Sequence, residues 1–195
     1  MTREIRLPKV TTKGPISLEE TLNERRSVRD YKAGSLRLVE VSQLLWAASG
    51  GNLYHRTAPS AGATYPLETY VAAGEVEGLD PALYRYLPSG HILEVVRAED
   101  VRRKLSRAAR GQRMISRAPI DIVIAAEYER TAARYGQRAI RYVHMEAGHV
   151  GQNISLQALA LGLGAVMVGA FDDKEVKEVL GIREESLYII PVGRL

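Results

Sequence analysis

The longest periodic segment, Ala139 to Leu161, is the feature that most constrains how this chain can fold. Its apolar residues recur at intervals of three and four, a spacing that places side chains on one face of an α-helix. They are Val143, Ala147, Val150, Ile154, Ala158 and Leu161. The segment Gly162-Leu-Gly164 ends the pattern, as glycine commonly does after a helix. The sequence therefore predicts a helix of about six turns at the centre of the core.

Shorter segments on either side indicate that helices and strands are interleaved. Ser17-Leu-Glu-Glu20 has the form of a capping box, in which the serine and the glutamate satisfy free N–H groups at a helix start. Further helices are predicted over 18–26, after Ser35, and over 100–110 and 172–180, and strands over 69–73, 83–87, 92–95, 120–126, 165–170 and 187–192. A loop is predicted over 53–66. Because this order has no regular βαβ rhythm, we expect an α+β fold.

The composition excludes several kinds of site. The chain has 195 residues and no cysteine, which excludes thiolate nucleophiles, iron–sulfur clusters and disulfides. Its 27 basic residues comprise 21 Arg and 6 Lys, and guanidinium groups bind phosphate and carboxylate through paired hydrogen bonds. Most of these arginines are expected on solvated faces, but the bias favours an anionic ligand. A nucleic-acid binder rich in arginine is the remote alternative.

The N-terminal region lacks the features of a targeting segment. Residues 1–15 are charged and contain two prolines, and no run of about 18 apolar residues, the length that spans a membrane, occurs in the chain. We therefore expect a cytoplasmic protein with one domain over residues 1–195, of which residues 1–15 form an extended arm.

Several familiar active sites are excluded by spacing. The sequence has no P-loop, no dinucleotide-binding glycine fingerprint and no G-x-S-x-G elbow. His144 and His149 are five residues apart, about 140° around a helix, so they do not form a zinc-binding pair. An enzyme of this composition would depend on a bound cofactor for its chemistry.

Three segments could bind such a cofactor. In Arg25-Arg-Ser-Val-Arg29, a continued helix would place Arg25 and Arg29 on one face, where they could hold a phosphate. A helix end that carries cations to complement the dipole is the simpler interpretation. The loop Ala58–Pro66 has small residues that let a flat ligand approach the backbone. A predicted strand bounded by glycines follows the long helix within Gly162–Phe171. Each could also be ordinary packing.

In this order the three segments resemble the nitroreductase-like flavoprotein family. The loop form Pro-Ser-Ala-Gly-x-x-Tyr-Pro, the segment Leu44-Leu-Trp-Ala-Ala48 and the segment Glu146-Ala-Gly-His-x-Gly-Gln-Asn153 are most similar to its SagB-type dehydrogenase branch. The resemblance covers Leu18 to Arg194. It implies an α+β homodimer with a central mixed or antiparallel sheet flanked by helices. It also implies one FMN in each of two interface pockets, with NAD(P)H as the reductant.

The resemblance further implies the contacts of the cofactor. The phosphate would lie at Arg25, Arg26 and Arg194, the ribityl chain at Ser27 and the pyrimidine edge at Arg29. The partner subunit's loop would line the flavin, and the segment after the long helix would lie beneath the ring and against O4 and N5. The residues concerned are Pro59, Ser60, Ala61 and Gly62 of the loop, and Gly164, Ala165, Val168 and Gly169 of the later segment.

The reaction implied is a ping-pong transfer of hydride or electrons from NAD(P)H through the flavin to a small organic acceptor. Tyr65, Tyr135 and His55 are candidate donors at the pocket edge. SagB-type enzymes that oxidise peptide azolines carry a Lys-Tyr pair, whose counterpart here is Arg134-Tyr135. Because arginine stays protonated, it cannot act as the base, which disfavours azoline oxidation. The resemblance is also compatible with flavin cleavage or reductive dehalogenation, which are activities of some family members.

Overall fold

The computed structural model of the protein describes residues 3–51 and 55–195. Within these residues the chain forms nine strands. They are β1 (Glu4–Arg6), β2 (Leu36–Arg37), β3 (Leu67–Ala73), β4 (Val76–Glu77), β5 (Ala82–Leu87), β6 (Ile92–Arg97), β7 (Ile120–Ala126), β8 (Leu163–Ala165) and β9 (Glu185–Arg194). Seven of them form one sheet in the order β1-β6-β5-β3-β7-β9-β8. Every neighbouring pair in this sheet is antiparallel, whereas β2 and β4 form a separate parallel pair.

Helices surround this sheet in the described part of the chain. They are α1 (Leu18–Glu24), α2 (Leu38–Ser49), α3 (Arg102–Ala108), α4 (Arg113–Arg117), α5 (Tyr128–Tyr135), α6 (Ala139–Ala160) and α7 (Asp173–Leu180). Among the described residues, no helix is both long enough and apolar enough to cross a membrane.

The core lies on both faces of the sheet, and the central strand β7 shows why. Its side chains alternate between faces. Ile120, Ile122 and Ile124 pack with residues of α2 and α6 on one face. Val123 and Ala125 pack with residues of α3, α4 and α7 on the other. Every residue of β7 is therefore buried, and each fully buried isoleucine contributes about 1.5–3 kcal/mol to folding.

The α+β prediction is confirmed, and the long helix agrees with α6 to within one residue. The capping box at Ser17 is also present, with both of its hydrogen bonds. Helices α4 and α5 were not predicted, because neither has a clear apolar period. Residues 53 and 54 of the predicted loop lie outside the described residues, and the rest is irregular apart from an isolated bridge at Arg56 and a 3-10 turn at Ala61–Ala63.

The predicted strand over 165–170 is wrong in its bounds. Gly162 has a φ of +71°, so the chain reverses directly after α6 and strand β8 begins at Leu163. The strand pairs with the end of β9 through three residues and stops at Ala165. Beyond it, only Val168 rejoins the sheet, through an isolated bridge to Ile189.

Candidate functional site

One cavity brings together two of the predicted segments. It has a volume of about 460 Å³ and lies between the end of α1, strand β8 and the last third of α6. Arg25 and Arg26 line it from the first segment, and Gly164 and Ala165 line it from the segment after α6. Ser155 of α6 contributes a hydroxyl to the wall. The cavity lining therefore includes two arginines, the acidic residue Glu24 that precedes them, and the small residues Gly164 and Ala165.

The arginine segment reaches the cavity as extended chain. Helix α1 ends at Glu24, and Arg25 has a φ of −55° and a ψ of 124°. The expectation that Arg25 and Arg29 share a helical face is therefore wrong. Ser27 and Arg29 are exposed and do not line the cavity. The helix stops here because the backbone turns to the sheet, where the Val28 N–H donates to the Ala165 carbonyl at 3.0 Å.

The close contact between this segment and β8 requires glycine at position 164. A Cβ on Gly164 would lie 2.7 Å from the Val28 side chain and 2.9 Å from Leu195. Carbon atoms do not approach so closely without displacement. Gly164 thus lets the arginine segment lie directly against β8, which is what forms the cavity.

Tyr31, which sequence reasoning missed, fixes the other end of the arginine segment. Its hydroxyl donates to the Val28 carbonyl at 2.9 Å and to the Pro191 carbonyl at 3.1 Å. Its ring packs on Gly193, where a Cβ would lie 2.6 Å from the ring. Burial raises the pKa of Tyr31, so the hydroxyl stays protonated as a donor. An aromatic residue two positions after Arg29 gave no sequence signal for this role.

The structure assigns Arg194 to an ion pair away from the cavity. Its guanidinium donates to both carboxylate oxygens of Glu40 at 2.8 and 2.9 Å, and to the Ser35 carbonyl at 2.8 and 3.1 Å. Burial acts to raise the pKa of Glu40, but hydrogen bonds from Arg194 and Arg37 outweigh it and the pKa is lowered. The geometry therefore gives no support to Arg194 as a phosphate ligand.

Val168 and Gly169 differ in how available their backbone is. The Val168 N–H donates to the Ile189 carbonyl at 2.9 Å and the Val168 carbonyl accepts from the Ile189 N–H at 3.0 Å. The Val168 amide is thus occupied within the sheet and does not face a ligand. Gly169 follows in irregular chain, where a Cβ would meet only the Tyr188 ring, at 3.9 Å.

The loop Pro59–Gly62 does not line the cavity of its own chain. It leads into the 3-10 turn, in which Gly62 has a φ of +59° that favours glycine. Helix α5 lies against this loop. Arg134 donates to the Gly62 carbonyl at 3.2 Å, and a Cβ on Gly62 would lie 2.6 Å from the Tyr135 hydroxyl. The structure therefore joins Tyr135 to the Pro-Ser loop.

Tyr65 lies at the far end of the same loop, where its groups are already engaged. Its N–H donates to the Ser60 hydroxyl at 3.0 Å, and its carbonyl accepts from Arg130 at 3.0 Å. The Arg56 guanidinium lies 4.2 Å from the centre of its ring, a cation–π distance. These contacts make Tyr65 part of the support of the loop.

Two buried carboxyl groups lie outside the cavity. Glu146 on α6 is 6% exposed, and burial raises its pKa to about 6, against the opposing effects of the Ser60 hydroxyl and the Arg56 charge. Asp121 on β7 is fully buried, and neither of its oxygens has a hydrogen-bond partner within the described residues. Burial raises its pKa well above its ordinary value.

Comparison with known proteins places this chain in a family. The model of the nitroreductase family matches residues 22–194. The chain belongs to the nitroreductase family. The resemblance found in the sequence is thereby confirmed, and the antiparallel sheet flanked by helices is the nitroreductase fold.

This nitroreductase-family chain matches nearly the full length of one curated relative and about half the length of another. A protein of Methanocaldococcus jannaschii that bears a nitroreductase name is 49% identical over 195 residues, which are 99% of this chain and 97% of the relative. A trifolitoxin operon protein, TfxC of Rhizobium leguminosarum, is 25% identical over 194 residues, which span 88% of this chain and 54% of the relative.

Solved structures share the fold over nearly the whole chain. A crystal structure of a Ralstonia eutropha protein described as a nitroreductase superposes with a TM-score of 0.84 at 32% identity, and the match covers 98% of this chain and 89% of that one. The E. coli McbBCD microcin synthetase complex matches with a TM-score of 0.75 at 22% identity, over 96% of this chain and 78% of that one. The latter likeness concerns the fold alone.

Proposed function

We propose that this protein is a homodimeric, FMN-dependent NAD(P)H oxidoreductase that acts on a small organic acceptor. The observation that carries the proposal is that Arg25, Arg26, Gly164 and Ala165 line one cavity. When bound, FMN supplies two-electron chemistry between NAD(P)H and the acceptor, in alternating half-reactions.

The residues present fit such a cofactor. A phosphate dianion needs concentrated positive charge, which Arg25 and Arg26 provide through charge-assisted hydrogen bonds. A planar ring system needs a wall without bulky side chains, and Ala165 offers only a methyl group there, whereas Val28 and Leu195 fill the space beside Gly164. Arg29 is exposed next to this cavity, and we assign it to the pyrimidine edge, where a fixed cation stabilises negative charge on a reduced ring. Ser27 is assigned to the ribityl chain.

A second copy of the chain would complete the site. The loop Pro59–Gly62 lies outside the cavity of its own chain but carries an exposed Gly62 in a strained turn. In the proposed homodimer this loop lines the partner's flavin. The apolar side chains Leu18 and Leu22 of α1, which are 60% and 54% exposed, are the kind of surface that a subunit contact covers.

The chain's own residues would then bind, orient and exclude water rather than transfer protons. No described side chain in the cavity is placed as an obligatory acid or base, and Gly169, rather than Val168, is the backbone group left to approach the ring. Arg194 is omitted from the proposed phosphate site, because Glu40 and Ser35 already bind its guanidinium.

The test is the visible spectrum of the purified protein, followed by identification of the cofactor after denaturation. A flavoprotein shows absorbance bands in the visible range and releases FMN. The double variant Arg25→Gln/Arg26→Gln should bind FMN at least tenfold more weakly, because each lost hydrogen bond to a charged group is worth about 1.5–3 kcal/mol. Oxidation of NADH or NADPH with a quinone or nitroarene tests the activity.

The matched control is Arg103→Gln/Arg107→Gln. These two arginines are exposed on α3, which covers the opposite face of the sheet from α6. The control should retain FMN with unchanged affinity. A colourless protein that takes up no FMN at micromolar concentration, or equal loss of FMN in both double variants, would contradict the proposed site.

Peptide azoline oxidation is a second candidate, favoured by the likeness to the trifolitoxin operon protein. The structure places Arg134 and Tyr135 against the loop that we assign to the flavin. Arg134 remains protonated at working pH, so it cannot remove a ring proton. Mass spectrometry of an azoline-bearing peptide incubated with the FMN-loaded protein would show a loss of two mass units if this candidate is correct.

A further inference from the structure

An open groove lies at the start of α6, outside the cavity described above. It has a volume of about 780 Å³ and is lined by Gln137, Arg138, Ile140, Arg141, His144 and Met145. The lining contains cationic, neutral polar and apolar side chains but no carboxylate. Such a composition is suited to a ligand that is itself negatively charged.

The groove adjoins the Pro-Ser loop through the end of α5. Arg134 donates to the Gly62 carbonyl, and the Tyr135 hydroxyl lies against the same glycine. The Tyr135 ring then meets the Tyr142 ring edge to face, with centres 5.1 Å apart, and Tyr142 immediately follows Arg141 on α6. The loop, the two tyrosines and the first turns of α6 thus form one continuous surface.

The positive charge in the groove is not neutralised within the described part of the chain. Arg138 and Arg141 are exposed and form no ion pair there. Arg130, one element earlier, shows the contrast, because it pairs with Glu68 at 2.7 Å and with Glu127 at 2.6 Å. The N-terminal end of the 22-residue helix α6 adds a partial positive charge at the same place.

Two apolar side chains border these arginines. Ile140 and Met145 are 57% and 54% exposed, so the groove presents apolar side chains to solvent beside the two arginines. His144 is held by a hydrogen bond of 2.7 Å to the Tyr128 hydroxyl, so it stands as a fixed part of the wall. The groove therefore offers an apolar surface with two free cations beside it.

We propose that the acceptor reduced by this protein is an aromatic or apolar molecule that carries a carboxylate or phosphate. Its anionic group binds Arg138 and Arg141, and its apolar body lies on Ile140 and Met145, directed toward the Pro-Ser loop. The proposal rests on the proposed function, since it names the substrate class of the proposed enzyme. Bidentate guanidinium recognition explains why arginine serves here better than lysine.

The experiment compares acceptors that share a nitrobenzene ring and differ in the charge and identity of the para substituent: nitrobenzene, 4-nitrobenzoate and 4-nitrophenyl phosphate. Each nitro group takes one hydride, that is two electrons and one proton, from NADH and one proton from solvent, giving the nitroso compound, NAD⁺ and water. We expect kcat/KM to be at least tenfold higher for an anionic acceptor than for nitrobenzene. Comparison of kcat/KM for 4-nitrobenzoate and for 4-nitrophenyl phosphate shows which anion is preferred.

In the variant Arg138→Gln/Arg141→Gln, the ratio of kcat/KM for an anionic acceptor to kcat/KM for nitrobenzene should fall at least tenfold. Nitrobenzene reduction and FMN content should stay unchanged. The control is again Arg103→Gln/Arg107→Gln on α3, which should keep the wild-type ratio. Raising the salt from 50 to 500 mM should lower kcat/KM for the anionic acceptors in the wild-type protein and far less in the groove variant, because salt screens exposed charges.

The outcomes separate the two proposals. If the wild-type protein binds no FMN and reduces no acceptor, the proposed function fails. If it reduces all three acceptors equally, or if the groove and control variants behave alike, the anionic substrate class is wrong. A groove variant that changes the oligomeric state in gel filtration would instead make this surface a contact between copies, which would also overturn the proposal.

Discussion

Replacing Arg194 tests whether this residue acts through Glu40 or through a phosphate. In the structure it binds both oxygens of Glu40, which is 2% exposed. Removal of one member of a buried ion pair costs about 3–5 kcal/mol, since the other charge is left buried and unpaired. The Arg194 side chain is 28% exposed, and Arg37 keeps its own hydrogen bond to Glu40. We therefore expect Arg194→Gln to lower the free energy of unfolding by about 2–3 kcal/mol.

This loss of stability should be visible as a lower melting temperature. For a chain of this length each kcal/mol corresponds to about 2–4 °C, so Arg194→Gln should melt about 4–12 °C below the wild-type protein. The two must be compared at equal protein concentration, because unfolding of a dimer depends on it. The FMN affinity of the folded variant should be unchanged.

A double-mutant cycle with Glu40→Gln isolates the pair. We expect the double variant to be more stable than the sum of the single effects indicates, with a coupling energy of about 1–3 kcal/mol. If Arg194→Gln instead melts at the wild-type temperature and binds FMN tenfold more weakly, Arg194 is a phosphate ligand and the structural assignment is refuted.

Three further changes test the buried glycine and the buried acids. Gly164→Ala should cost about 1–3 kcal/mol and weaken FMN binding, since its Cβ would lie 2.7 Å from Val28; Gly148→Ala, with nothing within 4 Å, is the control and should not destabilise. Asp121→Asn should be more stable than the wild-type protein at pH 8 but not at pH 4. The pKa of Asp121 is raised in the folded protein, so its contribution to the free energy of unfolding is present below the pKa of the unfolded chain and is lost as the pH rises. Denaturant titrations in which the wild-type protein is the more stable of the two at pH 8 would disprove this. Relative to Glu146→Gln, the free energy of unfolding of the wild-type protein should fall by about 2 kcal/mol between pH 4.5 and pH 7, because folding raises the pKa of Glu146 from 4.5 to about 6. A difference between the two proteins that stays constant with pH would contradict this.

The sequence carried most information where a residue's neighbours in the chain decide its structure. The period of α6 and the capping box of α1 follow from local hydrogen bonding and side-chain spacing, so they were predicted correctly. Helix α5 lacks an apolar period because its contacts are polar, with Arg134 and Tyr135 facing the Pro-Ser loop. It was therefore not predicted.

The sequence by itself determined the α+β class, the central helix and, through ordered motifs, the family. Only the tertiary structure decided how the motifs meet. It brought Arg25 and Arg26 to the same cavity as Gly164 and Ala165, although some 140 residues separate them in the chain. In the tertiary structure Arg194 also forms an ion pair with Glu40, and the Val168 N–H donates to the Ile189 carbonyl. Both outcomes depend on partners distant in sequence, because whether a cation or an N–H is free for a ligand is decided by what else lies within hydrogen-bonding distance.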